Sequence, residues 1–549
     1  MVRGFVQTRE IFAEFERRRL AGLLASKATG GPSPGWSQGE SDMLARRILI
    51  APAFAITAVV ALGLGLLPTG ATAAPTPAAS AAFTPTLAYV TCPADVKPAS
   101  TKCAELTVPL DWQTPDDGRT TTIALRVIPS AQGRGGFTFN PGGPGGSGID
   151  FHEAVYSDLP AQVRARFDYV SWDPRGVGLS GPALVDCPAP EGDDLPLTGP
   201  VDWQAFWEES LAAFGEANAA CLAANPDAAP YLGTWQVVRD LEAMRVALGY
   251  RQWNYWGMSY GTRIGHAYAR TFPTSLRALI MDGSVMAGET AYRFGTTFPA
   301  GLEVTKQVYA SVTGRSQAHK INTILDYLND HADIEVKGVV LNRWSFALTL
   351  RSTLVGQNSY PDLRAYINNI YDFIVAQTPK QRVRALRAVE RSAARLPRVN
   401  EPTTVLVLVN CADLKDRPTA EQLAAASIAV ERQYGITAPF FMGNAASCAG
   451  LPADMSPAIP TGTGTIALAN PPVFVLATGD AATPWIWGRG MANVFAGSRV
   501  ISYDSTQHVT YLSTPSACVN NPVTQYLLTL QRPGADTSCR FVASRPPAG

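Results

Sequence analysis

In the stretch Gly257-Met258-Ser259-Tyr260-Gly261, one hydroxyl stands between two glycines. The apolar run Gln252 to Trp256 leads into it, and a helix-like pattern leaves it. A serine on so sharp a strand-to-helix turn is lifted clear of the sheet's end and can act as a nucleophile; only small flanking residues allow the bend. The turn also aims the N–H of Tyr260 at an oxyanion forming beside the serine. A tight turn without chemistry is the rival reading, and the motif alone does not separate the two.

A nucleophilic serine needs a base, and the base needs an acid to orient it. The histidines are His152, His266, His319, His331 and His508. His266 falls two turns along the helix that leaves the serine and points away from it. His319 and His331 fall in a helical region where surface roles are expected. His508 ends the loop Asp504-Ser505-Thr506-Gln507-His508 after the strand-like run Arg499–Tyr503, where a base is expected. Asp480 closes Val473-Phe474-Val475-Leu476-Ala477-Thr478-Gly479-Asp480 and gives the chain order Ser, Asp, His. Asp413 fits that order as well; Asp504 lies close to His508 in sequence and is the third choice.

The oxyanion's second donor is expected in Asn140-Pro141-Gly142-Gly143-Pro144-Gly145-Gly146-Ser147-Gly148, which follows a strand-like run. Glycines let a backbone approach a carbonyl and point N–H groups at it; Gly143 is the expected main donor, with Gly142 beside it. The loop also satisfies G-x-G-x-x-G, with Asp173 ending the next strand, which is the pattern of a dinucleotide-binding turn. Pro141 and Pro144 stiffen the turn, and that reading leaves the serine, acid and base unexplained. No cofactor and no metal site are expected.

The elements that must position these groups follow in order. Cys103–Trp112 and Thr120–Pro129 suggest a hairpin across Pro115-Asp116-Asp117-Gly118. Short apolar strands are expected at Gly136–Asn140, Phe167–Asp173, Gln252–Gly257 and Leu276–Asp282, with helical patterns such as Val237–Leu248 between several of them. That alternation predicts an α/β fold with a mostly parallel central sheet. From about Thr305 to Leu396 the pattern is helical, and strands are expected again at Val405–Val409, Val473–Ala477 and Arg499–Tyr503. The expected organisation is an N-terminal extension and signal over 1–74, a linker over 75–91, a first core part over 92–284, a helical lid over 285–400 and a second core part over 401–549.

Arg46 and Arg47, the apolar run Ile48–Leu67 and Ala71-Thr72-Ala73 read as a secretory signal over about 43–73, with Met43 as a possible start. An uncleaved membrane anchor is the alternative. All eight cysteines follow this segment, which predicts disulfides, and sequential pairing would close four short-to-medium loops. Lys plus Arg equals Asp plus Glu at 45 each, so charge gives no case for nucleic acid or an anionic membrane surface. Apolar residues at 46% and charged ones at 16% predict a large globular core.

Together, C-A-E-L-T-V-P-L-D-W at Cys103, N-P-G-G-P-G-G-S-G at Asn140, D-P-R-G-V-G-L-S at Asp173, G-M-S-Y-G-T at Gly257, G-D-A-A-T-P at Gly479 and the late His508 resemble the secreted tripeptidyl aminopeptidase-like α/β-hydrolases, relatives of the prolyl aminopeptidases. The resemblance implies an α/β-hydrolase fold with an inserted helical lid, a Ser259–Asp480–His508 triad, an oxyanion loop at Gly142–Gly145, and release of short peptides from free N-termini. Two departures stand out. The family's histidine loop usually carries a glycine beside the base, whereas this chain has Gln507-His508-Val509, and no cysteine lies between Cys221 and Cys411, where relatives tend to carry a lid pair. An exopeptidase must bind an ammonium, and Glu289 and Glu303 are the candidate carboxylates. A secreted esterase with the same triad is the second reading, and a catalytically dead binding protein the third. The expected partners are a peptide or small-ester substrate, without nucleic acid and without stable membrane association after signal cleavage.

Overall fold

The structure, a computed structural model, describes residues 83–191, 195–336, 339–397 and 403–543. The expected signal segment lies outside the described residues. Strands β1 (Thr86–Val90), β2 (Lys102–Pro109) and β3 (Thr120–Ile128) form an antiparallel edge. The expected hairpin is β2–β3, paired from Lys102 opposite Val127 to Pro109 opposite Thr120. Next come β4 (Gly136–Asn140), α1 (His152–Asp158), α2 (Ala161–Arg166), β5 (Asp168–Trp172), α3 (Trp203–Ala224), α4 (Thr234–Ala247), β6 (Trp253–Met258), α5 (Gly261–Thr271) and β7 (Leu276–Asp282).

A helical insertion then interrupts the sheet. It contains α6 (Ala291–Thr313), α7 (Ser316–Asp330), the small antiparallel pair β8 (Ile334–Val336) and β9 (Val339–Leu341), α8 (Arg343–Leu354), α9 (Tyr360–Ile374), α10 (Pro379–Ala393), α11 (Thr404–Asp413) and α12 (Ala420–Tyr434). The sheet resumes with β10 (Val473–Ala477), α13 (Trp485–Val494), β11 (Arg499–Tyr503), α14 (Ala517–Thr529) and β12 (Thr537–Cys539).

The ten strands lie in the order β1-β2-β3-β5-β4-β6-β7-β10-β11-β12. From β5 to β12 all neighbours are parallel. This is the expected mostly parallel sheet of an α/β-hydrolase. Strands β4, β6 and β10 are buried along their whole length because helices cover both faces, which is why they read as continuous apolar runs rather than alternating ones. The loops at the carboxyl ends of β4, β6, β7, β10 and β11 therefore converge on one edge, where ligands bind in open α/β sheets.

One expected strand is a helix. Val405–Val409 lies inside α11, where the Thr403 side chain caps the first turn by accepting the Leu406 N–H. Leu408, Val409 and Cys411 are buried in the main core cluster, so packing overrides the β preference of the V-L-V-L-V run. The cysteines pair as expected: Cys92–Cys103, Cys187–Cys221, Cys411–Cys448 and Cys518–Cys539. Among the described residues no helix is long and apolar enough to cross a membrane.

Candidate active site

Ser259 stands between β6 and α5 with φ +53, a left-handed conformation that costs a non-glycine residue about 1–2 kcal/mol. Its N–H donates to the carbonyl of Asp282 at the end of β7, 2.9 Å away. The strand and helix meet closely: a Cβ at Gly257 would press on the Gly261 carbonyl, and one at Gly261 would sit 2.6 Å from the Asn140 carbonyl. The glycines flanking the serine thus have a steric cause.

The loops after β10 and β11 meet at a second point. His508 Nδ1 lies 2.9 and 3.0 Å from the two carboxylate oxygens of Asp480, and both side chains are buried. Asp480 also accepts the N–H groups of Ala482 and Thr483 at 2.8 Å each and the Thr483 hydroxyl at 3.0 Å. The Thr483 hydroxyl is 3.2 Å from His508 Nδ1, so one threonine touches both members of the pair. In the sequence Thr483 stands out only as part of G-D-A-A-T-P, with no role of its own. The imidazole lies over Gly283, where a Cβ would come 3.0 Å from His508 Cε1. Gly283 directly follows Asp282, so the serine and the histidine flank the same strand end.

The glycine loop closes the third side. Gly142 has φ +102, and a Cβ there would fall 2.7 Å from Ser259 Cβ and 2.8 Å from the Met258 carbonyl. Its N–H is committed within the loop, donating to Asn140 Oδ1 at 3.0 Å. The carbonyl of Gly142 accepts the Gly146 N–H. Asp173, the acid of the dinucleotide pattern, accepts the Ser147 hydroxyl at 2.6 Å and the N–H groups of Ile149 and Leu179. It is buried in the loop, where it ties neighbouring turns together.

The other candidates lie elsewhere. Asp413 accepts hydrogen bonds from Thr234 and Arg263, not from His508. The Glu289 side chain is buried, with its carboxylate on the Arg263 guanidinium at 2.9 Å. Burial pushes its carboxyl up, against the pull of Arg263. Glu303 pairs with Lys306 at 2.5 Å and lines a lid cleft with Pro299, Leu302 and Leu325. His266 is buried on α5 and takes a hydrogen bond from Arg270 on Nε2; burial pushes it down to about 3, which keeps it neutral. His331 stacks on Tyr327 in the lid.

Lid helices rest directly on the acid loop. Thr305 of α6 reaches the Asp480 carbonyl at 3.4 Å, and Pro484 packs where Gly301 lacks a side chain. Arg351 of α8 is buried over the Phe298 ring, its charge attracted by Asp480, and burial pushes it down to about 10. Phe298 and Arg351 share an open cleft with Phe214, Leu406, Phe440 and Phe441. On the glycine-loop side, Gly145 abuts Thr403 and Val405, next to the cleft residue Leu406. The cleft therefore lies between elements that touch the glycine loop and elements that touch the acid loop.

Among the described residues no cluster of three or more His, Cys, Asp or Glu could hold a metal ion. What the arrangement can do is acyl transfer: a strained turn carries a hydroxyl, a buried carboxylate orients an imidazole, and a glycine loop closes on the serine.

The family described as TAP-like protein matches residues 435–539. Serine protease Hip1 of Mycobacterium tuberculosis (strain ATCC 25618 / H37Rv) is 28% identical over 536 residues, covering 92% of this chain and 100% of that one. Tripeptidyl aminopeptidase of Streptomyces lividans is 27% identical over 474 residues, covering 80% and 84%. Carboxylesterase B of the same Mycobacterium tuberculosis strain is 28% identical over 477 residues, covering 80% and 86%.

Proposed function

From its place among the TAP-like α/β-hydrolases, as a serine hydrolase, we propose that this chain is an exported exopeptidase that releases short peptides from free N-termini through an acyl-enzyme. Ser259 Oγ attacks the scissile carbonyl while His508 Nε2 accepts its proton, and Asp480 holds the other ring nitrogen. The N–H groups of Tyr260 and Gly143 take the oxyanion's charge; Gly142, its own N–H spent on Asn140, supplies the close approach to Ser259. His508 then returns the proton to the leaving amine, and water repeats the sequence to release the acyl group. No cofactor takes part in these steps.

The observation that carries the reading is the buried His508–Asp480 pair on the same strand end as the strained turn at Ser259. Four disulfides support export, consistent with the signal read at about 43–73. The aromatic cleft is the place for the acyl half of the substrate, because it lies between helices that touch the glycine loop on one side and the acid loop on the other. Glu289 and Glu303 already face cations, so the ammonium role proposed for either requires Arg263 or Lys306 to yield.

An esterase is the second reading, favoured by the carboxylesterase relative at the same identity as the protease. Hydrolysis of free and acetylated mono-, di- and tripeptide amides beside a short nitrophenyl ester, by wild type and Ser259→Ala, separates the two. Serine-dependent turnover of free-amine peptides alone supports the exopeptidase. Ester turnover without peptide turnover replaces it with the esterase, and turnover that survives Ser259→Ala overturns the assignment of the nucleophile.

A further inference from the structure

We infer that Asp282, with Gly283, is a positioning residue that locks the nucleophile turn and the base loop into one register. Asp282 ends β7 and is completely buried. Its backbone carbonyl accepts the Ser259 N–H at 2.9 Å. Its carboxylate faces the other way along the chain: Oδ1 accepts the N–H of Thr510 at 2.8 Å, and Oδ2 that of Tyr511 at 3.0 Å. Trp256 of β6 adds an indole N–H to Oδ2 at 3.3 Å. One residue therefore holds the serine by its main chain and the histidine loop by its side chain.

The geometry of the loop explains why such a clamp is needed. Val509 separates His508 from Thr510 and has φ +56, an unfavourable conformation for a β-branched residue. Two carboxylate-assisted hydrogen bonds immediately beyond it hold the loop in that bend, and such bonds are about twice as strong as neutral ones. Gly283, at φ +60, then gives the imidazole a floor: a Cβ would meet Cε1 at 3.0 Å and Nδ1 at 3.1 Å. These bonds end on Ser259 and on the loop just beyond His508, so the effect of Asp282 runs through the positions of Ser259 and His508.

The inference rests on Ser259 and His508 being the nucleophile and base. The test uses the mature protein as wild type, Ser259→Ala, Asp282→Asn and Gly283→Ala. It measures thermal unfolding, kcat and KM on the best substrate of the panel, and the rate of labelling by a fluorophosphonate, which reports the activated serine. Asn keeps the shape but replaces one acceptor with an NH₂ that faces a backbone N–H. A displacement of about 1 Å costs on the order of 10²-fold, so Asp282→Asn should lose about that much in kcat and in labelling rate, with KM within about threefold. Gly283→Ala should show the same split through the pushed imidazole alone. A folded Asp282→Asn that labels and turns over like wild type overturns the inference, as does a fall in apparent kcat that the fraction of unfolded protein accounts for in full. If Asp282→Asn does not fold, Gly283→Ala decides: an unchanged kcat rejects the positioning unit, and a selective loss of kcat supports it. Labelling that survives in Ser259→Ala would sink the nucleophile assignment instead, whatever the other variants do.

Discussion

The carboxyl edge of the sheet and the helices laid over it are held together in different ways. At the sheet edge the constraints are single atoms: a carbonyl 2.9 Å from the Ser259 N–H, a carboxylate 2.9 Å from an imidazole, a glycine with no room for Cβ. In the helical insertion the constraint is a shared apolar cluster of Tyr309, Ile321, Phe346, Leu363, Ile367 and their neighbours, in which volume matters more than position. A site on the first kind of support keeps its geometry while the second kind varies. Reactivity should then depend on the edge, and substrate choice on the helices.

The largest effects should come from the edge. Ser259→Ala should remove turnover by about 10⁴-fold or more, and Asp480→Asn should cost about 10⁴ in kcat with little change in KM, because the imidazole loses its tautomer. Both follow from kinetics on the same substrate. Equal kcat in Asp480→Asn and wild type would move the acid elsewhere and dissolve the contrast.

Gly142→Ala tests the edge without touching a reactive group. The added methyl would meet Ser259 Cβ at 2.7 Å and the Met258 carbonyl at 2.8 Å, in a backbone conformation that alanine resists. Displacing the loop removes oxyanion stabilisation, so kcat should fall about 10²–10³-fold. A variant with normal turnover would show that the loop tolerates side chains and is no part of the oxyanion site.

The helices should answer differently. Phe441→Ala opens the aromatic cleft and should raise KM for a peptide with large apolar residues by about tenfold, the lower end of what burying such a ring is worth. Turnover of a short nitrophenyl ester, too small to reach the ring, should stay within about twofold. Equal losses on both substrates would mean that the cleft supports the edge rather than reading the substrate.

The same contrast governs what could be read from sequence. The motif at Ser259, the late His508 and the acid at Asp480 are local patterns: a glycine is forced where the backbone closes up, and a loop after a strand ends where the sheet ends. They survive as patterns because single atoms fix them. The run Val405–Val409 has strand-like composition and forms part of α11, since its fate is decided by Thr403 and by the core it packs into. The small β8–β9 pair carries too few residues to stand out. Glu289 was readable as a carboxylate but not as the partner of Arg263, which sits on α5, across β7 from it. Asp282 was legible only as the last residue of a strand, although its carboxylate reaches a loop more than two hundred residues away.

A titration separates the two regions once more, with the smallest effect. His152 on α1 is buried, its Nδ1 2.7 Å from the Ser171 hydroxyl, and burial together with the Arg126 charge pushes it down to about 4. Between its ordinary value near 6.5 and 4 the unfolded chain binds a proton that the folded chain lacks, so this residue makes stability fall as pH drops, by at most about 1.4 kcal/mol per pH unit. Asp158, at the other end of the same helix, is pushed up to about 6 by burial. Folded Asp158 holds a proton that the unfolded chain has released over nearly the same interval, so its contribution has the opposite sign and flattens the wild-type curve. His152→Asn removes the first term and leaves the second: its stability relative to wild type should rise steadily as the pH is lowered from 7 to 4.5. Urea midpoints for both proteins across that range give the answer. A difference that stays constant with pH would mean that His152 is charged in the folded state.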